Sequence, residues 1–546
     1  IGPDDAGMPS VDLESSAAQP PADAAADVAP PGSAVDAWPQ AGGPDGTFRV
    51  NVQGAPTKWS VASNQNIVWA QTLPDEGQGG IAVSGNLLFL ETFPPFNGTK
   101  SSLDVVGYAI DRATGAIQWQ TPVLHGNGLP SPMAYSYSDA TSWTPVTDGQ
   151  YVWFFNAAGH MGCWDISGHV VWERDFVGQS SLYPFNRQHE PILIGNSIAI
   201  LSPLGAGDPA PKQAGWNYLH GIDKMTGKTT WVADDASTFY NTAVMGLLPS
   251  GAPAVLHGRG GPHGAAETPV GLSMTSLAPG SEGRSLWQYA GSGTALYTMT
   301  WDSKYAYWFT VSPNETMVVL DAATGKPVHT WSLFQNVDVR RWDTTAGAYV
   351  SMPGVDIHNT NDWTYGGVGM HVMPNWHTNI VANGYHWFLT STNNNRTSGA
   401  GAHCGPPHSL GRVNVETGKV EYLELPVGVA RSPGSPDQLT YGKSLTTTAA
   451  DSKGNDVALD NRSHTDGWEI PAFFASPILL GNQIYFGTTL GITYVIDASA
   501  RTLDQSAILG YGDLGALGQT WSLAGPSFAG GVLYHHSSKQ VVAIRP

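Results

Sequence analysis

Charge is scarce in this chain: Asp, Glu, Lys and Arg make up 13% of 546 residues, against about a quarter in a typical soluble protein. The balance is acidic, with 44 carboxylates against 25 basic side chains and a formal net charge of −19. A surface of that sign repels a phosphate backbone and argues against nucleic acid as a partner. No apolar run approaches the length of a membrane span. Cysteine is nearly absent; Cys163 and Cys404 are the only two, and sequence alone leaves open whether they are free or paired. No Ser-centred nucleophile elbow, P-loop or dinucleotide fingerprint stands in a fitting strand–helix context.

What the chain has instead is glycine (65) and tryptophan (20), the composition of a turn-rich all-β protein. The stretch "YAIDRATGAIQW" at 108–119 returns as "HGIDKMTGKTTW" from His220 and "VVLDAATGKPVHTW" from Val318. "GRVNVETGKVEYL" from Gly411 is a further copy; "MGCWDISGHVVW" from Met161 is shortened and "YVIDASARTL" from Tyr494 degraded. Each reads as two short strands around a tight turn, where Gly supplies the positive φ and Asp or Thr bonds the turn backbone. The closing Trp stands where it can pack on the next copy. A unit that cannot bury its own face needs neighbours, so an array follows.

A second series fixes the expected count. A turn followed by an alternating apolar strand begins at Ser84, Asp148, Gly195, Ser250, Asp302, Asn383, Gly481 and Gly530. About four strands per repeat then predicts an all-β, eight-bladed propeller of four-stranded antiparallel blades over 37–546. The final "KQVVAIRP" lacks a hairpin partner, and "NIVWAQTL" at 66–73 is a strand ahead of the first full blade. Their pairing would close the array and remove an exposed edge. Residues 1–36 are Ala/Pro/Asp-rich and read as a disordered tether. The chain opens on Ile, which fits a mature exported form, periplasmic, cell-surface or extracellular, whose leader has gone. Acidic tails of this kind also follow the lipidated cysteine of bacterial lipoproteins, so lipid-tethered membrane association is a further expectation.

The Asp-x-x-Thr-Gly-x-x-x-Trp hairpins resemble the repeats of the PQQ-like, quinoprotein-type β-propeller superfamily over roughly residues 38–546. "WPQAGGPDG" and "PTKWSVASNQNIVWAQTLP" look like exported bacterial members of unassigned function. Within that superfamily the dehydrogenases use PQQ with Ca²⁺ or a lanthanide, a catalytic Asp and commonly a disulfide between adjacent cysteines. This chain has no Cys-Cys pair and no Cys-x-x-Cys-His haem attachment, which counts against PQQ as its cofactor. Non-catalytic relatives include the propeller lipoprotein of the outer-membrane assembly machine, which binds partner proteins. The resemblance therefore implies a ligand- or partner-binding scaffold first. A PQQ- and metal-dependent alcohol or sugar dehydrogenase is the alternative, and a polysaccharide-active hydrolase or lyase a third class.

In a propeller, the segment leading into each blade's first strand lies at one face near the axis. Most of these lead-ins are small or apolar, but two are polar: Arg187, His189 and Glu190 in the third, and Trp376, His377 and Asn379 in the sixth. Such a set suits a divalent metal or a small polar ligand; the same residues also suit hydrogen bonding to buried strand ends. Two long insertions, about 334–375 and 425–472, are expected to lie over this funnel as a lid. They bring His358, Trp363, His371, His464, Asp466 and Trp468, a lining suited to a carbohydrate or a quinone-like ring, or to a packed cover. His403, Cys404 and His408 form a third cluster, a thiol with two imidazoles that suits copper or zinc but matches no zinc signature.

Overall fold

A computed structural model describes residues 35–93, 104–126, 143–178, 189–208, 212–239, 241–261, 265–292, 297–298, 300–310, 315–357, 379–394, 404–432, 435–441, 475–488, 491–516, 520 and 522–546. Among them the structure is all strand and turn apart from one short 3₁₀ segment, Gln505–Ala507.

Antiparallel sheets follow one another along the chain, over 82–123, 146–175, 192–236, 244–290, 305–332, 379–424 and 478–513; a last one joins 527–544 to Ile67–Thr72. They are called the first to eighth sheets below. Most are four-stranded meanders in which sequential strands are neighbours. The fifth has three strands, its first strand reduced to a bridge between Trp301 and Ala306. The sixth and seventh each carry two extra edge strands.

The repeated turn explains why the hairpins recur. In "DRATG", one carboxylate oxygen of Asp111 accepts from the Ala113 N–H at 3.1 Å, the Thr114 N–H at 2.8 Å and the Thr114 hydroxyl at 2.7 Å. Asp223 and Asp321 hold Thr226 and Thr324 in the same way, and Asn414 substitutes for Asp in the sixth sheet. Those bonds hold the Asp111 and Asp223 carboxyls below the usual carboxylate range, the Thr hydroxyl bond contributing most.

Each closing Trp then docks on the turn of the following sheet. The indole N–H of Trp119 donates to the Ile166 carbonyl, Trp172 to Lys224, Trp287 to Ala322 and Trp331 to Val415. From the eighth sheet, Trp69 donates to Arg112 in the first at 3.2 Å. The seventh sheet has no Thr-Gly turn, and there Arg412 of the sixth donates to the Ala500 and Arg501 carbonyls instead. That guanidinium is buried and paired with Glu421. At these junctions the docking side chain sits in front of interleaved apolar strands.

The two ends of the chain pair. Ile67–Thr72 lies antiparallel to Gln540–Ile544, with Ala70 opposite Val542.

The insertion expected as a lid differs in part. Val337–Asp343 and Ala348–Val355 form a hairpin whose first strand runs parallel to Val420–Glu424, extending the last-strand edge of the sixth sheet. Its turn is another acceptor loop: Asp343 takes the Thr345 and Ala346 N–H groups, and Gly347 has φ 63°. From the second insertion, Gly428–Ala430 pairs with Gln438–Thr440. Residues 35 and 36, expected within the tether, are bonded to the sheets: the Val35 carbonyl accepts from Gly530 N–H and the Asp36 carbonyl from Arg112.

Candidate functional site

The first strands of these sheets gather round one segment, residues 35–50. Trp38 exchanges two backbone bonds of 2.8 Å with Val83 in the first sheet. The Pro39 carbonyl accepts from Thr147 N–H in the second, and the Gln40 side-chain oxygen from Leu193 N–H, 2.7 Å, in the third. Gly46 accepts from Met245 in the fourth sheet, and Arg49 donates to the Trp301 carbonyl, 2.7 Å, beside the fifth. Phe48 and Val50 accept from Leu479 and Gly481 in the seventh, where Arg49–Val50 runs parallel to the first strand. With Val35 on Gly530 of the eighth, one short stretch bonds to seven sheets.

Trp38 is fully buried at the centre of this arrangement, and Phe48 nearly so. The stretch read at sequence level as an opening motif, "WPQAGGPDG", therefore lies among the first strands of these sheets and bonds to them. Gly and Pro suit it because the backbone must bond in different directions every one or two residues, and Gly43 and Gly46 have φ of 79° and 72°.

Above this plug lies a cavity of about 20 Å³, room for roughly one water. Ala41 and Phe48 form its floor, and Gly80, Thr144, Glu190, Ser476 and Ser527 are among its walls. Glu190 is thus one of the residues that line this cavity. One of its carboxylate oxygens accepts from the Thr144 N–H at 2.7 Å, so part of its work is to satisfy a backbone donor in the second sheet's lead-in.

His189 is wholly buried and is not among the residues that line this cavity. Among the described residues, neither ring nitrogen has a hydrogen-bond partner. Burial, with the nearby His257 adding to it, pushes its pKa down to about 3, so the ring is neutral. His257 is also buried, with Nε2 2.8 Å from the Thr275 hydroxyl and Nδ1 unpartnered. In the fourth sheet's lead-in, the Asn241 amide is fully buried, and among the described residues both of its polar atoms are unpartnered. Sequence reading passed over Asn241 because its segment, "FYNTAVMG", looked small and apolar. Asn379, expected in the funnel, begins the first strand of the sixth sheet opposite Phe388 and is buried.

Arg187, Trp376, His377, the lid residues His358, Trp363, His371, His464, Asp466 and Trp468, and also His403, lie outside the described residues. The Cys404 backbone begins the strand Cys404–Asn414, and His408 is buried in that strand opposite Ser391. Cys163 is a free, buried thiol whose pKa burial pushes up to about 12. Among the described residues no three His, Cys, Asp or Glu side chains are placed to hold a metal ion.

Residues 100–233 match a family model described as outer membrane protein assembly factor BamB, PQQ_2. None of the curated proteins compared matches the chain. Among solved structures, a europium-containing methanol dehydrogenase is 12% identical with a TM-score of 0.42, covering 93% of this chain and 89% of that one. A quinohemoprotein alcohol dehydrogenase from Comamonas testosteroni gives 12%, 0.46, 93% and 80% in the same order. BamB from Moraxella catarrhalis gives 12%, 0.33, 74% and 96%. The family match covers the first hairpin copies, and the same Asp-turn and Trp docking recur through the later sheets.

Proposed function

We propose that the sheets are the blades of one eight-bladed ring, sealed along its axis by residues 35–50, and that the chain is an exported, non-redox binding scaffold. Its ligand or partner meets the lead-in face. The observation that carries this is the pair of unpartnered buried polar side chains, His189 and Asn241, on successive lead-ins. A buried polar group without a partner costs about 1–3 kcal/mol, and a polar ligand or its bound water repays that cost. The plug supports a one-faced cup over a through-channel, since it occupies the axis beneath Glu190. The partner-binding reading also draws on the family description as an assembly factor. A small polar or carbohydrate molecule is the other ligand class this lining suits.

The purified protein, supplied with PQQ, Ca²⁺ or a lanthanide and an alcohol or sugar, is expected to leave an artificial electron acceptor oxidised. Reduction of the acceptor would transfer the site to the dehydrogenase reading. Cleavage of defined glycans would transfer it to the hydrolase or lyase reading. If the scaffold reading holds, His189→Leu with Asn241→Leu keeps the fold and loses whatever copurifies with the native protein, read by native mass spectrometry.

A further inference from the structure

A second cavity lies away from the lead-in face, at the seam where the first and eighth sheets meet. It has a volume of about 480 Å³ and is lined by Val68, Trp69, Asp111, Arg112, Tyr534 and Arg545, with Asn86, Ala113, Val532 and Ala543 completing it. That size accommodates a small organic molecule. Its walls come from both chain ends, so the cavity exists only once Ile67–Thr72 has paired with Gln540–Ile544.

One wall is rigidly built. The Arg112 Nε donates to the Tyr534 hydroxyl at 3.0 Å, and one Nη donates to the carbonyls of Gly85, 3.0 Å, and Asp36, 3.2 Å. Trp69 is tied to the same residue through its indole N–H, and its ring centroid is 6.3 Å from that of Tyr534. Asp111 spends one carboxylate oxygen on three donors of its own turn. Arg545 stands in contrast: it is exposed, and among the described residues its guanidinium makes no hydrogen bond or ion pair. In a chain with only 25 basic residues and a net charge of −19, two guanidinium groups share one cavity with an indole and a phenol. The cation with open valence is Arg545.

From this geometry we infer that the seam cavity is a binding site for a small aromatic carboxylate. The guanidinium fork of Arg545 takes the carboxylate through two parallel N–H···O bonds. The apolar body lies against Trp69, Val68 and Val532, where aromatic and aliphatic surface is removed from water. The site is independent of the lead-in face, so it stands or falls separately from the proposed function.

Titration calorimetry on the full chain tests it with benzoate, benzyl alcohol and benzylammonium as probes. Benzoate is expected to bind saturably in the millimolar range or tighter, with benzyl alcohol weaker and benzylammonium not binding. Arg545→Ala should weaken benzoate by about tenfold or more, and Arg545→Lys should restore part of the loss. Because Arg545 has no internal side-chain partner, the thermal midpoint of both variants should match that of the parent. Ala113→Trp, which fills the cavity, should abolish binding. The inference is overturned if benzoate shows no saturable binding, if Arg545→Ala leaves it unchanged, or if benzylammonium binds as well as benzoate.

Discussion

Trp69 and Gly115 touch across the seam between the eighth and first sheets, so closely that a Cβ on Gly115 would sit 2.7 Å from the indole ring. Gly115 also has φ 76°, a conformation that side chains rarely adopt. Trp119, Trp172, Trp287 and Trp331 bear on the turn glycines 168, 227, 325 and 418 in the same way.

Gly115→Ala should therefore destabilise the protein by about 2–4 kcal/mol, combining the backbone strain with the clash. Gly85→Ala provides the control. Gly85 has φ 55° but nothing within 4 Å of its Cβ position, so only the strain remains, about 1 kcal/mol. Denaturant midpoints of the two variants should differ accordingly. Equal losses would show that the Trp contact contributes nothing.

Removing residues 541–546 should leave the strand Ile67–Thr72 without its partner and uncover a sheet edge. Size-exclusion chromatography is expected to show aggregation that the full chain lacks. A monomeric, equally stable truncation would mean that the end pairing is dispensable.

The axial segment should stay in place even when cut from the chain. A protease site introduced at the exposed residues Asn64–Asn66 and cleaved after folding should leave the N-terminal piece bound under native conditions, because its bonds to seven sheets remain. Trp38→Ala, at a site with no exposure, should cost about 3–5 kcal/mol. Release of the nicked piece in native buffer would contradict the plug.

Acid should destabilise the fold through its buried histidines. Burial lowers the pKa of His189, His257 and His386 from 6.5 to about 3. The folded state therefore binds fewer protons than the unfolded chain in that interval, so stability rises with pH. Their contribution is fully present above about pH 6.5 and is lost as pH falls towards 3, by up to about 2 kcal/mol per group at pH 5. His386, packed edge-on against Tyr307 and Phe309 at 4.8 and 4.9 Å, is the cleanest test. In His386→Phe, the slope of stability against pH between about 5 and 6.5 should be shallower than in the parent, as measured by urea unfolding.

The hairpins were readable because their chemistry is local. Asp111, Thr114 and Gly115 are close neighbours in sequence, and the turn they make is complete within them. Alternating apolar strands such as "LLFLET" depend only on period-two patterning, and the pairing of the two ends followed from counting which strand lacked a partner. The hairpin 337–355 was missed because its strands carry Asp338, Arg340 and Arg341 in place of apolar residues, as an edge that faces water permits.

Sequence by itself determined the strand-and-turn grammar, the Trp that ends most hairpin copies and the acidic, cysteine-poor character of the chain. Tertiary structure alone decided that residues 35–50 bond to seven sheets, that Glu190 caps Thr144, and that His189 and Asn241 are buried with polar atoms unmet among the described residues. The physical reason is range. A turn is stabilised by groups three residues apart, whereas burial and polar satisfaction at the axis depend on what seven separate sheets bring to one place, and no local pattern encodes that sum.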